Sequence, residues 1–226
     1  MGTLYVVSTP IGNMKDITLR AIEVLKETKI ILSEDTRKTG MLLKRFEIEN
    51  KKLVSYFEAN EEQKIGQVID WLKQGYDVAL VSSAGTPLVS DPGFKLVREC
   101  AKENLKVVPI PGASAILAGL VVAGLPTDKF VFLGFLPKKS GKKEKLLVKT
   151  LETNMTVVFY ESPFRILKTL KMLNHYHSGV VMRVVIGREL TKKFEEVMRG
   201  TPDELINKIG DKKVKGELVV LVKLIS

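Results

Sequence analysis

The stretch VALVSSAGTPLVSDPG, residues 78–93, decides how the rest of this chain is interpreted. Its first four residues are a continuous apolar run, half of it β-branched, which predicts a buried strand. Asp91 and Pro92 predict a helix start, with the aspartate as N-cap and the proline at the first helical position. Between these elements only Leu88 has a large side chain, so backbone amides can approach a ligand closely. A small-molecule site at the carboxyl end of a parallel strand is typical of open α/β sheets.

This loop alone leaves two interpretations open, because Gly-Thr-Pro and Asp-Pro-Gly are also ordinary turn sequences. Three other strand-like runs end in comparable loops, at residues 9–13, 33–37 and 111–115. Several loops of the chain are therefore candidates to line one binding site. Strands alternate with helices throughout this half, which predicts a mostly parallel sheet with helices on both faces.

The same patterning predicts the other elements of the first half. Helices are expected over 16–27 with Asp16 as N-cap, over 60–74 with Asn60 and Gln63 as a capping box, and over 116–123. The last of these is apolar on nearly all sides and is expected to be buried. Strands are expected over 3–8, 30–32, 53–56 and 107–110.

The segment Leu125-Pro126-Thr127-Asp128 marks the expected domain boundary, because the pattern changes after it. Residues 1–126 form the predicted parallel α/β domain, and residues 127–226 form a second, mixed α/β domain. The second domain is expected to contain a basic helix over 138–151 and strands over 130–135, 156–160, 181–187, 195–199 and 218–224.

Composition narrows the class of protein. The 226 residues, 45% of them hydrophobic, suffice for one large or two small globular domains. No apolar run approaches the roughly 20 residues of a membrane span, and the N-terminus does not resemble a signal peptide, so a cytoplasmic protein without membrane association is expected. Cys100 is the only cysteine, and His175 and His177 are the only histidines, which disfavours a metal centre.

The net charge of +10 predicts a polyanionic partner, although a lysine-rich and glutamate-rich surface of the thermophile type is an alternative. The densest positive charge follows the sequence GFLP, and we expect RNA contact there. The lysines concerned are Lys138, Lys139, Lys142, Lys143 and Lys145. No GxGxxG, GxxxxGK[ST], GxSxG or HExxH motif is present, so the common nucleotide, hydrolase and zinc interpretations have no support.

Seven motifs, taken together, resemble one family. They are VVSTPIGN (6–13), SEDTRKT (33–39), SSAGTPLVSDPG (82–93), VPIPGASA (108–115), FLGFLPKK (132–139), FYESPFR (159–165) and GREL (187–190). This set closely resembles the 16S rRNA cytidine 2′-O-ribose methyltransferases of the tetrapyrrole methylase superfamily. One departure is Ser83, because the family usually has aspartate at this position of its SDAGTP motif.

The resemblance implies a class III methyltransferase with two α/β domains, S-adenosylmethionine in the cleft between them, and a homodimer. It also implies that the substrate is 16S rRNA in the small ribosomal subunit. Position by position, the resemblance assigns cofactor binding to Ile11, Ala84, Gly85, Thr86, Val89, Ser114, Ala115, Tyr160, Glu161 and Gly216.

The expected chemistry is direct methyl transfer to a ribose hydroxyl, which benefits from a proton acceptor. Asp35 and Glu189 are the candidate acceptors, and Arg37 is the candidate clamp for a phosphate or carboxylate. A helix cap and ion pairs are the alternative roles of these residues. Two other functions stay open at this point: methylation of a tetrapyrrole or another small substrate, and RNA binding without catalysis.

Overall fold

The computed structural model describes residues 1–175, 181–210 and 213–225. It divides into two compact units, Met1–Ser114 and Ala115–Ser226. Each unit is built on its own five-stranded sheet, which confirms the predicted fold class of two α/β domains.

The strands of the first unit are β1 (Thr3–Val7), β2 (Ile30–Ser33), β3 (Lys52–Ser55), β4 (Val78–Val81) and β5 (Lys106–Ile110). They form an entirely parallel sheet with the strand order β3-β2-β4-β1-β5. The central strand β4 is buried along its whole length, as its continuous apolar sequence predicts.

Helices cover both faces of this sheet. They are α1 (Leu19–Glu27), α2 (Thr36–Arg45), α3 (Glu61–Lys73) and α4 (Phe94–Lys102). Alternate residues of β4 enter different cores: Leu80 packs in the cluster that contains Cys100 of α4, and Val81 packs in the cluster that contains Leu25 of α1. The predicted parallel sheet with helices on both faces is therefore confirmed. The loops that follow its strands begin at the same edge of the sheet, where the carboxyl ends of parallel strands meet.

The strands of the second unit are β6 (Phe130–Phe135), β7 (Thr156–Glu161), β8 (Val181–Arg188), β9 (Glu196–Gly200) and β10 (Leu218–Ile225). They form a mixed sheet with the order β6-β7-β10-β8-β9. In this sheet β6 and β7 pair in parallel, and the other neighbours are antiparallel. The helices are α5 (Ala115–Ala123), α6 (Ser140–Leu151), α7 (Ile166–Asn174) and α8 (Pro202–Ile209).

Helix α5 belongs to the second unit, although the sequence places the boundary after Pro126. A Cβ on Gly119 would lie 3.0 Å from Val219 Cγ1, which shows how closely this helix packs on β10. The expectation that α5 is buried holds for one face of the helix only, because Leu117 and Val121 are exposed. The sheet covers only one face of a helix whose sequence is apolar on every face.

Three predicted helix starts differ from the structure. Thr18, not Asp16, caps α1, and its side chain accepts a hydrogen bond from Ala21 N. Asn60 precedes α3 without forming the predicted capping box, since its amide bridges Phe57 N and Ser55 O instead.

The third difference concerns α4, which begins after Gly93 and not at Asp91-Pro92. Gly93 has a φ of +129°, a conformation that the residue types expected at a helix start avoid. Its N–H donates to Glu61 Oε1 at 2.9 Å. A carboxylate from α3 therefore satisfies this amide, and the side chain of Asp91 is left for other contacts.

Candidate active site

Three loops of the first unit are joined at the carboxyl edge of its sheet. Thr9 and Gly85 exchange two backbone hydrogen bonds of 2.9 and 3.0 Å, which connect the loops after β1 and β4. Thr86 Oγ1 donates to Ala113 O at 3.2 Å and accepts from Ser8 Oγ at 3.0 Å, which adds the loop after β5. The predicted grouping of these three loops is thus a feature of the structure.

Gly85 lies at the centre of this grouping with a φ of +83°. A Cβ at this position would be 3.3 Å from Ile11 Cγ2 and 3.7 Å from Ala113 O. Ile11, Gly85 and Thr86 are therefore brought together. Ala84, Val89 and Ser114 lie on the same loops, and Ala84 is exposed to solvent.

Asp35, which is partly buried, and Arg37, which is exposed, form an ion pair at the start of α2. The Asp35 carboxylate caps the helix by accepting from Arg37 N at 3.0 Å and from Lys38 N at 3.4 Å. Arg37 Nη2 lies 3.2 Å from Asp35 Oδ2. The hydrogen bond from the Arg37 side chain is the main reason why the pKa of Asp35 is lowered from its ordinary value. Asp35 is therefore an acceptor of hydrogen bonds that holds a proton weakly.

Asp91 is a titratable residue of the central loop that the sequence assigned only to a helix cap. Burial, followed by the charge of Glu34, raises the pKa of Asp91 to about 6. Glu34 is itself held against the central loop, because its Oε2 accepts from Ser83 N at 3.1 Å. The carboxyl groups of Glu34, which follows β2, and of Asp91, which precedes α4, thus interact, and no sequence motif indicates that they are close.

The second unit brings another set of predicted residues to one edge of its sheet. Leu218, the first residue of β10, pairs with Glu161 at the end of β7 and with Arg188 at the end of β8. Gly216 precedes this strand with a φ of +95°, and a Cβ on it would overlap Glu189 Cγ. Glu161, Gly216 and Glu189 therefore lie at the same sheet edge.

The Glu189 carboxylate is already engaged at this edge. Its Oε1 accepts from Lys192 Nζ and from Glu217 N, both at 2.9 Å. The hydrogen bond with Lys192 and the backbone hydrogen bond from Glu217 lower the pKa of Glu189. Glu189, like Asp35, is a carboxylate that favours its charged form.

The side chain of Glu161 is buried and fully used inside the second unit. Oε1 accepts from Arg165 Nη2 at 2.7 Å and from Ser162 N at 2.8 Å. Oε2 accepts from Thr169 Oγ1 at 2.7 Å and from Lys143 Nζ at 3.3 Å. Any contact that Glu161 makes with a cofactor must therefore use its backbone.

This network corrects one predicted RNA contact. Lys143 is only 3% exposed, and its ammonium group donates to Thr169 Oγ1 at 2.9 Å as well as to Glu161. A phosphate at the protein surface cannot reach this buried ammonium group, so the expectation that Lys143 contacts RNA is wrong. Its four companions, Lys138, Lys139, Lys142 and Lys145, are exposed.

Tyr160 stands between two other aromatic rings. Its ring centroid is 5.1 Å from that of Phe132 and 5.2 Å from that of Phe135. Such separations and tilts are favourable aromatic packing. The ring of Tyr160 thus has a defined orientation at the end of β7.

Two features that the described residues lack bear on the class of site. Within residues 1–175, 181–210 and 213–225, no group of three or more His, Cys, Asp or Glu side chains is arranged to hold a metal ion. His177 lies outside these residues. No helix of the described part is long and apolar enough to cross a membrane.

Comparison with known proteins agrees with this architecture. The family model for Tetrapyrrole (Corrin/Porphyrin) Methylases matches residues 3–206. The crystal structure of diphthine synthase superposes with a TM-score of 0.75 at 19% identity, over 99% of this chain and 90% of that one. A Thermus thermophilus uroporphyrin-III C-methyltransferase complexed with S-adenosyl homocysteine gives a TM-score of 0.65 at 17% identity, over 97% of each chain. At these identities the likeness concerns the fold.

Sequence relatives are considerably closer. The ribosomal RNA small subunit methyltransferase I of Hydrogenobaculum sp. is 46% identical over 220 residues, which cover 97% of this chain and 94% of the relative. Proteins of the same name from other bacteria are 42% to 46% identical over nearly the whole chain. The chain therefore belongs to the tetrapyrrole methylase family and, within it, to the group of ribosomal RNA small subunit methyltransferases I.

Proposed function

We propose that the protein transfers a methyl group from S-adenosylmethionine to the 2′-hydroxyl of a cytidine ribose in 16S rRNA of the small ribosomal subunit, in the cytoplasm. The observation that carries this proposal is the match of 46% over 97% of the chain to a methyltransferase named for that RNA. Membership of the family makes the protein a methyltransferase, and the cofactor of such an enzyme is S-adenosylmethionine.

The joined loops of the first unit fit such a cofactor. Ala84, Gly85 and Thr86 present a backbone with small side chains, and a side chain on Gly85 would press against Ile11. We assign Ile11, Ala84, Gly85, Thr86, Val89 and Ser114 to cofactor binding in the first unit. In the second unit the assigned residues are Ala115, Tyr160, Glu161 through its backbone, and Gly216.

The bound cofactor supplies an electrophilic methyl group, and the residues of the chain hold the attacking hydroxyl. Reacting atoms held about 3–3.5 Å apart in line gain roughly 7–11 kcal/mol from positioning. We assign Asp35 as acceptor of a hydrogen bond from the hydroxyl and Arg37 as its phosphate clamp. The ribose hydroxyl must lose its proton when it is methylated. Because the pKa values of Asp35 and Glu189 are lowered, these carboxylates orient the hydroxyl and pass its proton on to solvent.

The exposed lysines Lys138, Lys139, Lys142 and Lys145 are the proposed phosphate contacts. Each contact should contribute roughly 0.7–0.9 to the slope of log affinity against log salt. We also propose a homodimer, and the exposed apolar side chains of Leu117 and Val121 on α5 are candidates for its interface.

The alternative of a small tetrapyrrole substrate is less well supported. Relatives named for rRNA are 42% to 46% identical to this chain, whereas the solved uroporphyrin-III methyltransferase is 17% identical. The alternative of RNA binding without catalysis leaves the joined small-residue loops unexplained.

The test is methyl transfer from radiolabelled S-adenosylmethionine to unmethylated 30S subunits, with uroporphyrinogen III as the competing substrate. We expect label in 16S rRNA only. Label in the porphyrinogen would favour the small-substrate alternative. Absence of label in both, together with intact RNA binding, would favour the binding module.

A further inference from the structure

Two phenylalanine rings of the second unit are open to solvent. Phe135, at the end of β6, is 63% exposed, and Phe164, in the turn after β7, is 83% exposed. Single exposed apolar residues are common. These two differ because Arg165 holds their segments together, and because lysines follow Phe135 along the chain.

Arg165 connects the two segments. Its Nη1 donates to Leu136 O at 3.2 Å, and its Nη2 pairs with Glu161 Oε1 at 2.7 Å. Leu136 follows Phe135, and Phe164 precedes Arg165, so one guanidinium group anchors both ring-bearing segments. The ring of Phe135 also packs on Tyr160, with 5.2 Å between centroids.

Positive charge follows directly along the chain. Lys138, Lys139 and Lys142 are exposed at the start of α6. The neighbouring Lys143 points inward and bonds to Thr169 and Glu161, which attaches α6 to the same network as Arg165. We call the set Phe135, Phe164, Lys138, Lys139 and Lys142 the aromatic-lysine surface.

We propose that the aromatic-lysine surface binds an unpaired RNA strand, with bases stacked on Phe135 and Phe164 and phosphates held by the lysines. Aromatic rings beside lysines suit single strands, because every base has a π face that pairing and stacking in a duplex would hide. Charge complementarity favours RNA as the occupant, because the exposed ammonium groups of this surface carry the charge opposite to that of its phosphates. The inference rests on the proposed function and adds that the substrate is unpaired where it meets this surface.

The experiment measures binding of a short unpaired RNA that contains 2-aminopurine, and of the matching duplex, to the full-length protein. Phe164→Ala should weaken binding of the unpaired RNA by about 5- to 140-fold, the usual range for loss of one stacked base. It should also relieve the quenching of 2-aminopurine fluorescence that stacking produces. Phe135→Leu, which keeps an apolar side chain in β6, should act in the same direction.

The matched control is Phe194→Ala. Phe194 is 62% exposed in the same unit, and Lys193 Nζ lies 5.6 Å from its ring centroid. We expect wild-type binding and quenching from this variant. A loss equal to that of Phe164→Ala would mean that any exposed ring beside a lysine gives the effect, and would overturn the proposal.

Two further results would overturn the inference. The first is wild-type affinity and quenching in both Phe164→Ala and Phe135→Leu. The second is a changed sedimentation coefficient of these variants without any change in their RNA binding, which would place a second copy of the chain on the surface. Failure of the proposed function is distinguishable, because wild-type protein would then bind the RNA but transfer no methyl group to 30S subunits.

Discussion

Replacing Lys143 by methionine tests whether this lysine stabilises the second unit or contacts RNA. Lys143 Nζ lies 3.3 Å from Glu161 Oε2, and both side chains are buried. At an effective dielectric constant of about 20, this distance corresponds to a gross attraction of roughly 5 kcal/mol. Removing one partner leaves the Glu161 charge buried, and breaking such a pair costs roughly 3–5 kcal/mol.

The second partner of Glu161 determines where in the range of roughly 3–5 kcal/mol the loss of stability falls. Arg165 still pairs with Glu161 at 2.7 Å, so we expect Lys143→Met to lower the free energy of unfolding by about 3 kcal/mol. For a chain of this size, that loss lowers Tm by about 6–12 °C. Neutralising both partners, as in Lys143→Met with Glu161→Gln, should recover part of the loss, because the only charge then left without its partner is that of Arg165, whose side chain is partly exposed.

The assay is thermal unfolding followed by circular dichroism at pH 7, with salt-dependent RNA binding measured below the transition. Lys142→Met is the matched control, since its exposed side chain should change stability by no more than about 0.5 kcal/mol. Equal Tm values for the two single variants, with RNA binding weakened only by Lys143→Met, would refute the buried role of Lys143.

Three other substitutions test the site in the first unit. Gly85→Val should abolish binding of S-adenosylmethionine in a folded protein, measured by calorimetry, because the new side chain meets Ile11 and the φ of +83° is strained for valine. Asp35→Asn should lower the turnover rate for 30S methylation with little change in cofactor affinity, because the lost interaction belongs mainly to the transition state. Asp91→Asn should flatten the pH dependence of Tm. Burial raises the pKa of Asp91 to about 6 in the folded protein, against 3.8 for an unperturbed aspartate. Wild-type stability therefore falls as the pH rises from about 4 to 6, and the variant should lack this fall.

Each of these predictions has its own control or contrary result. Gly75→Val introduces similar strain at a φ of +92° where nothing lies within 4 Å, so it should leave cofactor affinity unchanged. Wild-type turnover in Asp35→Asn would reduce Asp35 to a helix cap. A fall in Tm between pH 4 and 6 that persists in Asp91→Asn would assign the effect to another group.

The sequence predicts elements well where local pattern and burial agree. The strands over 78–81 and 130–135 have the expected bounds, because short apolar runs between turn residues are typical of strands. Helix starts are predicted less well, since capping is decided by groups that compete for the same amides. At Gly93 the competitor is Glu61, a residue of another helix.

The site shows the same division between local and distant causes. The small-residue loops are visible in the sequence, and so is the resemblance that they carry. The burial of Lys143 cannot be predicted from the sequence, because its partner Glu161 lies on another element of the unit. A run of lysines normally indicates a solvated surface. The raised pKa of Asp91 likewise has causes outside its own segment, namely burial first and then the charge of Glu34 at the end of β2.

The position of the transferred methyl group tests the central claim most directly. 16S rRNA from unmethylated 30S subunits, treated with the protein and deuterated S-adenosylmethionine, can be digested to nucleosides and analysed by mass spectrometry. The account predicts that the label appears in 2′-O-methylcytidine and that Gly85→Val protein produces none. Label on a base, or on the ribose of another nucleoside, would contradict it.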